Sequence, residues 1–288
     1  MAWTAPRTWA SGELVTADLM NSAVRDNLLA LGGGGNVISK SASYSILLTD
    51  FSGGTCTCLV DSTGGSDVVI TLPAASIGAG FSVTVVLAAA TVSAGKSTGL
   101  CLISPAGSET ANGITTDIPL YLKWDYVTVT SDGSNWVIAS EKISLFAEYS
   151  QGGGAQTYVT NTWAQNVYDT AAVDTASCLT GGGFVIPTGM AGYYDLSCIF
   201  RWQTPTSWST SPAGFHQLFK KNGDNWNSYV TLYQLIGRPT FVFQSQPLLA
   251  AGDDIEVWAK QVTGGDMDTT TSSQAHVFWA RLVRRTYA

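Results

Sequence analysis

The sequence predicts a mainly β chain with a short N-terminal helix. Charged residues make up only 12% of it, aromatics 11%, and glycine is abundant at 30 of 288 residues. This composition suits half-buried sheets and argues against disorder, which needs high charge and few aromatics. β-Branched and aromatic runs recur at short intervals, each closed by a Gly, Pro, Asn or Asp turn. One stretch alone, near the start, carries a helical period.

That stretch lies within Trp3 to Leu31. Thr16 is suited to cap a helix, because its hydroxyl can accept from a free first-turn amide. Asp18 then sits where a negative charge favours the helix dipole. Val24, Leu28 and Leu31 follow at spacings of four and three, one stripe of a helix. Asn21 falls on that stripe a heptad before Leu28, where a polar residue fixes register in a bundle. Gly32 ends the helix. About fifteen helical residues are marginal alone in water, so the stripe needs a partner. Trp3, Pro6 and Trp9 read as an extended arm with aromatic plugs.

After the glycine run Gly32 to Gly35, the block from Asn36 to about Ser140 reads as strands and turns. Tyr44 to Leu48, Cys58 to Asp61, Val68 to Leu72, Phe81 to Leu87 and Leu100 to Ile103 are the strand signals. Tyr126 to Thr130 and Trp136 to Ile138 flank an Asp132-Gly133 turn and read as a hairpin. Short strands at this spacing predict a small sandwich or barrel. The chain is expected to divide into an arm and helix over 1–35, a β spacer over 36–142, a linker over 143–155 with Gly152 to Gly154 as a joint, and a second β-domain over 156–288.

In that second domain Tyr194, Leu196, Cys198, Phe200 and Trp202 alternate with polar residues. Phe215 and Phe219 share a face with Gln217 between them. Lys221-Asn222-Gly223-Asp224 is a tight turn, and Ile255, Val257 and Ala259 alternate after it.

The groups available for chemistry are few. The net charge is −7, which argues against nucleic acid, since phosphate binding needs clustered Lys and Arg. The basic cluster Arg281, Arg284 and Arg285 reads as a solvated tail. Five cysteines, Cys56, Cys58, Cys101, Cys178 and Cys198, are odd in number and scattered, so they read as reduced buried thiols from a cytoplasm. No secretory leader is visible at the start, and the most apolar stretch, Gly80 to Ala94, is too short and too rich in Ser and Thr to span a membrane. Only His216 and His276 are available as a triad base, and each sits in a strand pattern as a structural histidine. Gly95-Lys96-Ser97-Thr98 lacks the earlier glycine and the following helix of a phosphate loop. Asp266-x-Asp268 with Thr269 to Thr271 supplies few of the about six to eight oxygens that calcium takes. Asp253, Asp254 and Glu256 read as turn and strand-face residues rather than as a glycosidase pair. No catalytic residue, metal or cofactor is expected.

Three resemblances add to this. Trp9-x-x-Gly12-Glu13-x-x-Thr16-Ala17-x-x-x-Asn21, then Arg25-Asp26-Asn27-Leu28 and Leu31, resembles the N-terminal segment of many bacteriophage fibre and minor structural proteins. The phrases Ile70 to Ser76, Gly78-x-Gly80-Phe81 and Ser131 to Ile138 resemble a common phage-fibre module. Phe184 to Pro187, Gly192 to Leu196, Leu218 to Gly223, and Leu248-Leu249-x-x-Gly252-Asp253-x-Ile255-x-Val257 resemble the jelly-roll superfamily of tumour necrosis factor and the complement globular heads. Its final strand, Ala275 to Ala280, lacks that family's Phe-x-Gly.

The resemblances imply a non-enzymatic virion protein made in the host cytoplasm: a homotrimeric tail or head fibre with a C-terminal jelly-roll β-sandwich. Trp3, Trp9, Leu14, Asn21, Val24, Leu28 and Leu31 are the expected docking residues on capsid or tail proteins. Trp208, Trp226 and Tyr229 read as loop residues, expected either at an exposed tip, contacting a host glycan or surface protein, or in the core. Two rival roles share this architecture: a capsid decoration protein that binds no receptor, and a glycan-degrading tip.

Overall fold

The computed structural model describes residues 35–93, 96–152, 155–202, 214–233, 240–262, 266–269 and 276–286. The expected helix and all seven docking residues lie outside these. The described chain is almost wholly β and divides into two compact units, one running to Ile143 and the other starting at Ser144, with the short segment Val92–Ser97 grouped with the second.

The first unit is built from β1 (Asn36–Lys40), β2 (Tyr44–Ser45), β3 (Thr55–Asp61), β4 (Val68–Thr71) and β5 (Ser82–Ala89). The hairpin of β6 (Val92–Ser93) and β7 (Lys96–Ser97), grouped with the second unit, intervenes, and the first unit continues with β8 (Cys101–Ser104), β9 (Ile118–Leu120), β10 (Tyr126–Ser131) and β11 (Trp136–Lys142). Two sheets form, ordered β1-β3-β5-β10-β11 and β2-β4-β8-β9. They enclose one apolar core, as a sandwich should.

The connectivity is not that of stacked hairpins. β1, β3 and β5 pair in parallel, and so do β2, β4 and β8. The chain alternates between sheets and winds as a short coil, so like positions stack: Cys56 on Val83, Cys58 on Val85, Val60 on Leu87, Ile70 on Ile103. Every one of these eight side chains is buried. The antiparallel strands β9, β10 and β11 close the coil on one side. The expected Asp132-Gly133 hairpin is there: Asp132 accepts the amides of Ser134 and Asn135 at 2.8 and 2.7 Å, and Gly133 has φ 98°. Trp136 is buried beside it and its indole donates to the Pro73 carbonyl at 3.1 Å.

The second unit holds β12 (Phe146–Ser150), β13 (Thr157–Tyr158), β14 (Ala164–Gln165), β15 (Thr170–Asp174), β16 (Leu179–Thr180), β17 (Gly183–Val185), β18 (Gly192–Arg201) and β19 (Gly214–Lys221). It continues with β20 (Asp224–Tyr233), β21 (Thr240–Ser245), β22 (Leu248–Leu249), β23 (Asp254–Val262), β24 (Met267–Asp268) and β25 (Val277–Arg285). Its main sheets run β15-β12-β25-β18-β21 and β16-β17-β23-β19-β20. Taking β12, β17, β18, β19, β20, β21, β23 and β25 as successive strands one to eight, the sheets hold one, eight, three, six and two, seven, four, five. This is the order of a jelly-roll sandwich.

Tyr149, Tyr194 and Phe278 of the first sheet meet Phe184 of the second with ring centroids 5.9 to 6.4 Å apart. Phe219 meets Phe278 edge-on at 6.1 Å, and Trp202 lies 5.3 Å from Phe215. The alternation read along Tyr194 to Phe200 is the alternation of burial along β18.

Two readings need correction. The span 143–155, read as a linker, contains β12, which pairs with β15 and β25 inside a sheet. The strand has only five residues and ends just before the three-glycine run, so its local signal is weak. Arg281, Arg284 and Arg285 are not a tail either, for they lie in β25. Arg281 bonds Asp195 at 2.6 Å, the Arg284 guanidinium lies 4.5 Å over the Tyr193 ring, and Arg285 is buried.

Candidate functional site

The jelly roll has two outer faces, and they differ in chemistry. On the sheet containing β25, the side chains turned away from the core are Phe146, Glu148 and Ser150 of β12, Ser197 and Ile199 of β18, and Val277 and Trp279 of β25. Register places Glu148, Trp279 and Ser197 in one row and Ser150, Val277 and Ile199 in the next. Phe146, Ile199 and Trp279 are each half-buried within the unit. This face is apolar at its centre and carries the Asp195–Arg281 pair at its border.

On the opposite sheet, β23 reads Ile255-Glu256-Val257-Trp258-Ala259-Lys260. Ile255, Val257 and Ala259 are buried, whereas Glu256, Trp258 and Lys260 are turned outward and half-exposed. Lys220 of β19 lies opposite Glu256, and its ammonium stands 3.5 Å from the Trp258 ring centroid. The Trp258 indole donates to Glu256 at 2.8 Å. Lys260 lies opposite His216, 5.5 Å from the Trp163 centroid, and donates to Asn161 at 3.4 Å. Burial, aided by the Lys260 charge, pushes the His216 imidazole below its ordinary value. The result is a sheet face carrying two lysines, each set against a tryptophan.

Of the expected tip residues, Trp208 lies outside the described residues. Trp226 and Tyr229 are in β20 rather than in a loop, because the Asn222-Gly223 turn is so tight that the strand resumes at Asp224. Trp226 is half-buried and pairs with Phe219. Sequence reading missed Trp163, Lys220, Trp258 and Lys260. The signal was present: alternation that puts Ile255, Val257 and Ala259 inward necessarily puts Glu256, Trp258 and Lys260 outward.

The groups weighed for catalysis are held by structure. His276 is fully buried, its Nδ1 accepts the Arg201 amide at 3.4 Å, and its ring meets Phe200 edge-on at 4.8 Å. Asp266 accepts the Thr160 amide at 3.3 Å, and Asp268 accepts the Thr157 hydroxyl at 2.5 Å, which ties β24 to β13. Asp253 accepts from Lys221, Asn222 and the Ala250 amide at 2.6, 2.9 and 2.7 Å. Among the described residues, no cluster of three or more His, Cys, Asp or Glu is arranged to hold a metal ion.

No protein-family model matches the chain. No curated protein sequence matches it either. Among solved structures it is similar to the Eiger TNF of S. frugiperda, at 12% identity and a TM-score of 0.37, over 50% of this chain and 96% of that one. It is also similar to the globular domain of the zebrafish complement 1qA protein, at 11% identity and a TM-score of 0.33, over 49% and 99%.

Proposed function

We propose that this chain is a non-enzymatic structural fibre of a phage virion. It works as a homotrimer whose first thirty-odd residues dock on the particle and whose C-terminal jelly roll is exposed for host-surface adhesion. The observation that carries the trimer is the outer face bearing Phe146, Ile199 and Trp279, each only half-buried within the unit. An apolar strip on a sheet that would otherwise face water is best hidden against copies of itself, and closed cyclic symmetry hides it on every copy. The virion address is supported by the fibre-like phrases between Trp9 and Leu31 and between Ile70 and Ile138.

Two measurements test the reading. Sedimentation of the full chain should give three times the 30.4 kDa subunit mass; a lone subunit overturns the trimer. Deleting residues 1–35 should leave the trimer intact and abolish incorporation into particles. Normal incorporation of the truncated chain overturns the docking role.

A further inference from the structure

The outward face of β23 and β19 carries a second assignment, which rests on the jelly roll being the exposed part of the fibre. We propose that this face binds an acidic polysaccharide, a sugar polymer bearing carboxylates.

Ile255, Val257 and Ala259 already supply this strand's share of the core, so Trp258 on the other side adds nothing to the sandwich interior. Trp163 lies beyond the end of β14, whose Gln165 pairs with Trp258 and whose Ala164 pairs with Ala259. That register makes Trp163 and Trp258 diagonal neighbours, about 7–8 Å apart along the sheet. Two indoles at such a spacing offer flat apolar surface with polar edges, the kind of surface on which the C–H faces of sugar rings settle.

The lysines then select for charge. Lys220 and Lys260 are each aligned by an aromatic ring, and neither has a carboxylate partner among the described residues. The carboxylate nearest to Lys220 in register, Glu256, is taken by the Trp258 indole. Because Lys220 lies opposite residue 256 and the other cation is residue 260, the two lysines leave the sheet in register rows four residues apart, about 14 Å between backbone positions along the strand. Two cations rooted in separate rows, each set beside an aromatic ring, match an extended polymer carrying spaced acids better than a single small anion. Nucleic acid is disfavoured, because two lysines on a chain of net charge −7 give little counterion release.

The test uses the full chain with polygalacturonate as the acidic polymer, dextran as the neutral one and single-stranded DNA as the phosphate control, read by calorimetry at fixed salt. Polygalacturonate should bind, and dextran should bind at least about tenfold more weakly. The Lys220→Gln/Lys260→Gln double variant should lose roughly tenfold or more in affinity, as expected when charge-assisted hydrogen bonds are removed. Lys123→Gln should leave affinity unchanged, although Lys123 also lies over a tryptophan, Trp124, at 5.2 Å in the first unit. Absence of polygalacturonate binding, equal binding of dextran or DNA, or an unaffected double variant each overturns the proposal. Sedimentation of the same samples separates this outcome from failure of the trimer, since both lysines lie on the sheet face away from Trp279.

Discussion

The thiols illustrate how burial decides reactivity in this protein. All five are free and buried. Desolvation, opposed by Lys40, pushes Cys58 up to about 11; it pushes Cys56 and Cys198 up to about 12. The native chain should therefore react with a thiol reagent at pH 8 far more slowly than the unfolded chain, which should yield all five equivalents. Rapid native labelling would contradict the buried assignment. The sign of the linkage follows: above pH 9 the unfolded chain gives up thiol protons that the native one keeps, so stability falls as pH rises towards 11 and 12. Asp253 works in the opposite sense. Burial raises its pKa, but the Lys221 ammonium, the Ala250 amide and the Asn222 side chain outweigh that and hold it below the ordinary carboxylate value. Its contribution is present above that ordinary value and is lost as pH falls through the lowered one. Asp253→Asn should cost about 1–3 kcal/mol in denaturant unfolding at neutral pH and flatten the acid side of the stability profile. An unchanged midpoint and an unchanged acid limb would show that the carboxylate is not holding the turns together.

Turns and strands show what a sequence can disclose and where it stops. Asn222 and Gly223 take φ of 54° and 82°, the left-handed pair that a two-residue hairpin demands. Gly223→Val should cost about 1–2 kcal/mol, read as a lower denaturation midpoint, because a β-branched residue is forced into that region. The turn was legible because its chemistry is local. So was the alternation of β18 and β23, since period-two burial is written residue by residue. The coil of the first unit was not legible. Ser62 to Asp67 and Ala74 to Phe81 are turn-rich in either topology, and nothing local says whether the next strand returns beside its predecessor or crosses to the other sheet. What decides it is stacking over long separations, as where Cys58 meets Val85. The arginines of β25 misled for a related reason. Their charges suggested a solvated tail; Arg281 and Arg284 are indeed exposed, yet they lie in a strand and find Asp195 and Tyr193, partners contributed by a strand more than eighty residues earlier in the chain. Close approach between the same strands explains Gly192, where an added Cβ would collide with the Arg284 carbonyl. Gly192→Ala should lower the midpoint through that clash.

The jelly roll as a whole has to reconcile one sheet face that is apolar at its centre with a chain in which 45% of residues are hydrophobic. The proposed trimer would do so by turning the row Glu148–Trp279–Ser197 and the row Ser150–Val277–Ile199 towards sister copies. This makes Trp279 the most informative position to change. It is half-exposed in the single chain, so a charged residue there is solvated as long as the chain stays alone. Glu148 lies directly opposite on the neighbouring strand, ready to pair with an introduced cation. Trp279→Arg should therefore leave the folded subunit intact, with its far-ultraviolet circular dichroism preserved. In the proposed trimer the same guanidinium would be repeated three times against an apolar surface, and removing it from water costs several kcal/mol per ion. Sedimentation should then show folded single subunits where the unmodified chain is expected to sediment as a trimer. A Trp279→Arg protein that still sediments as a trimer would place the subunit contact on another face, and the partial exposure of Phe146 and Ile199 would need a different explanation.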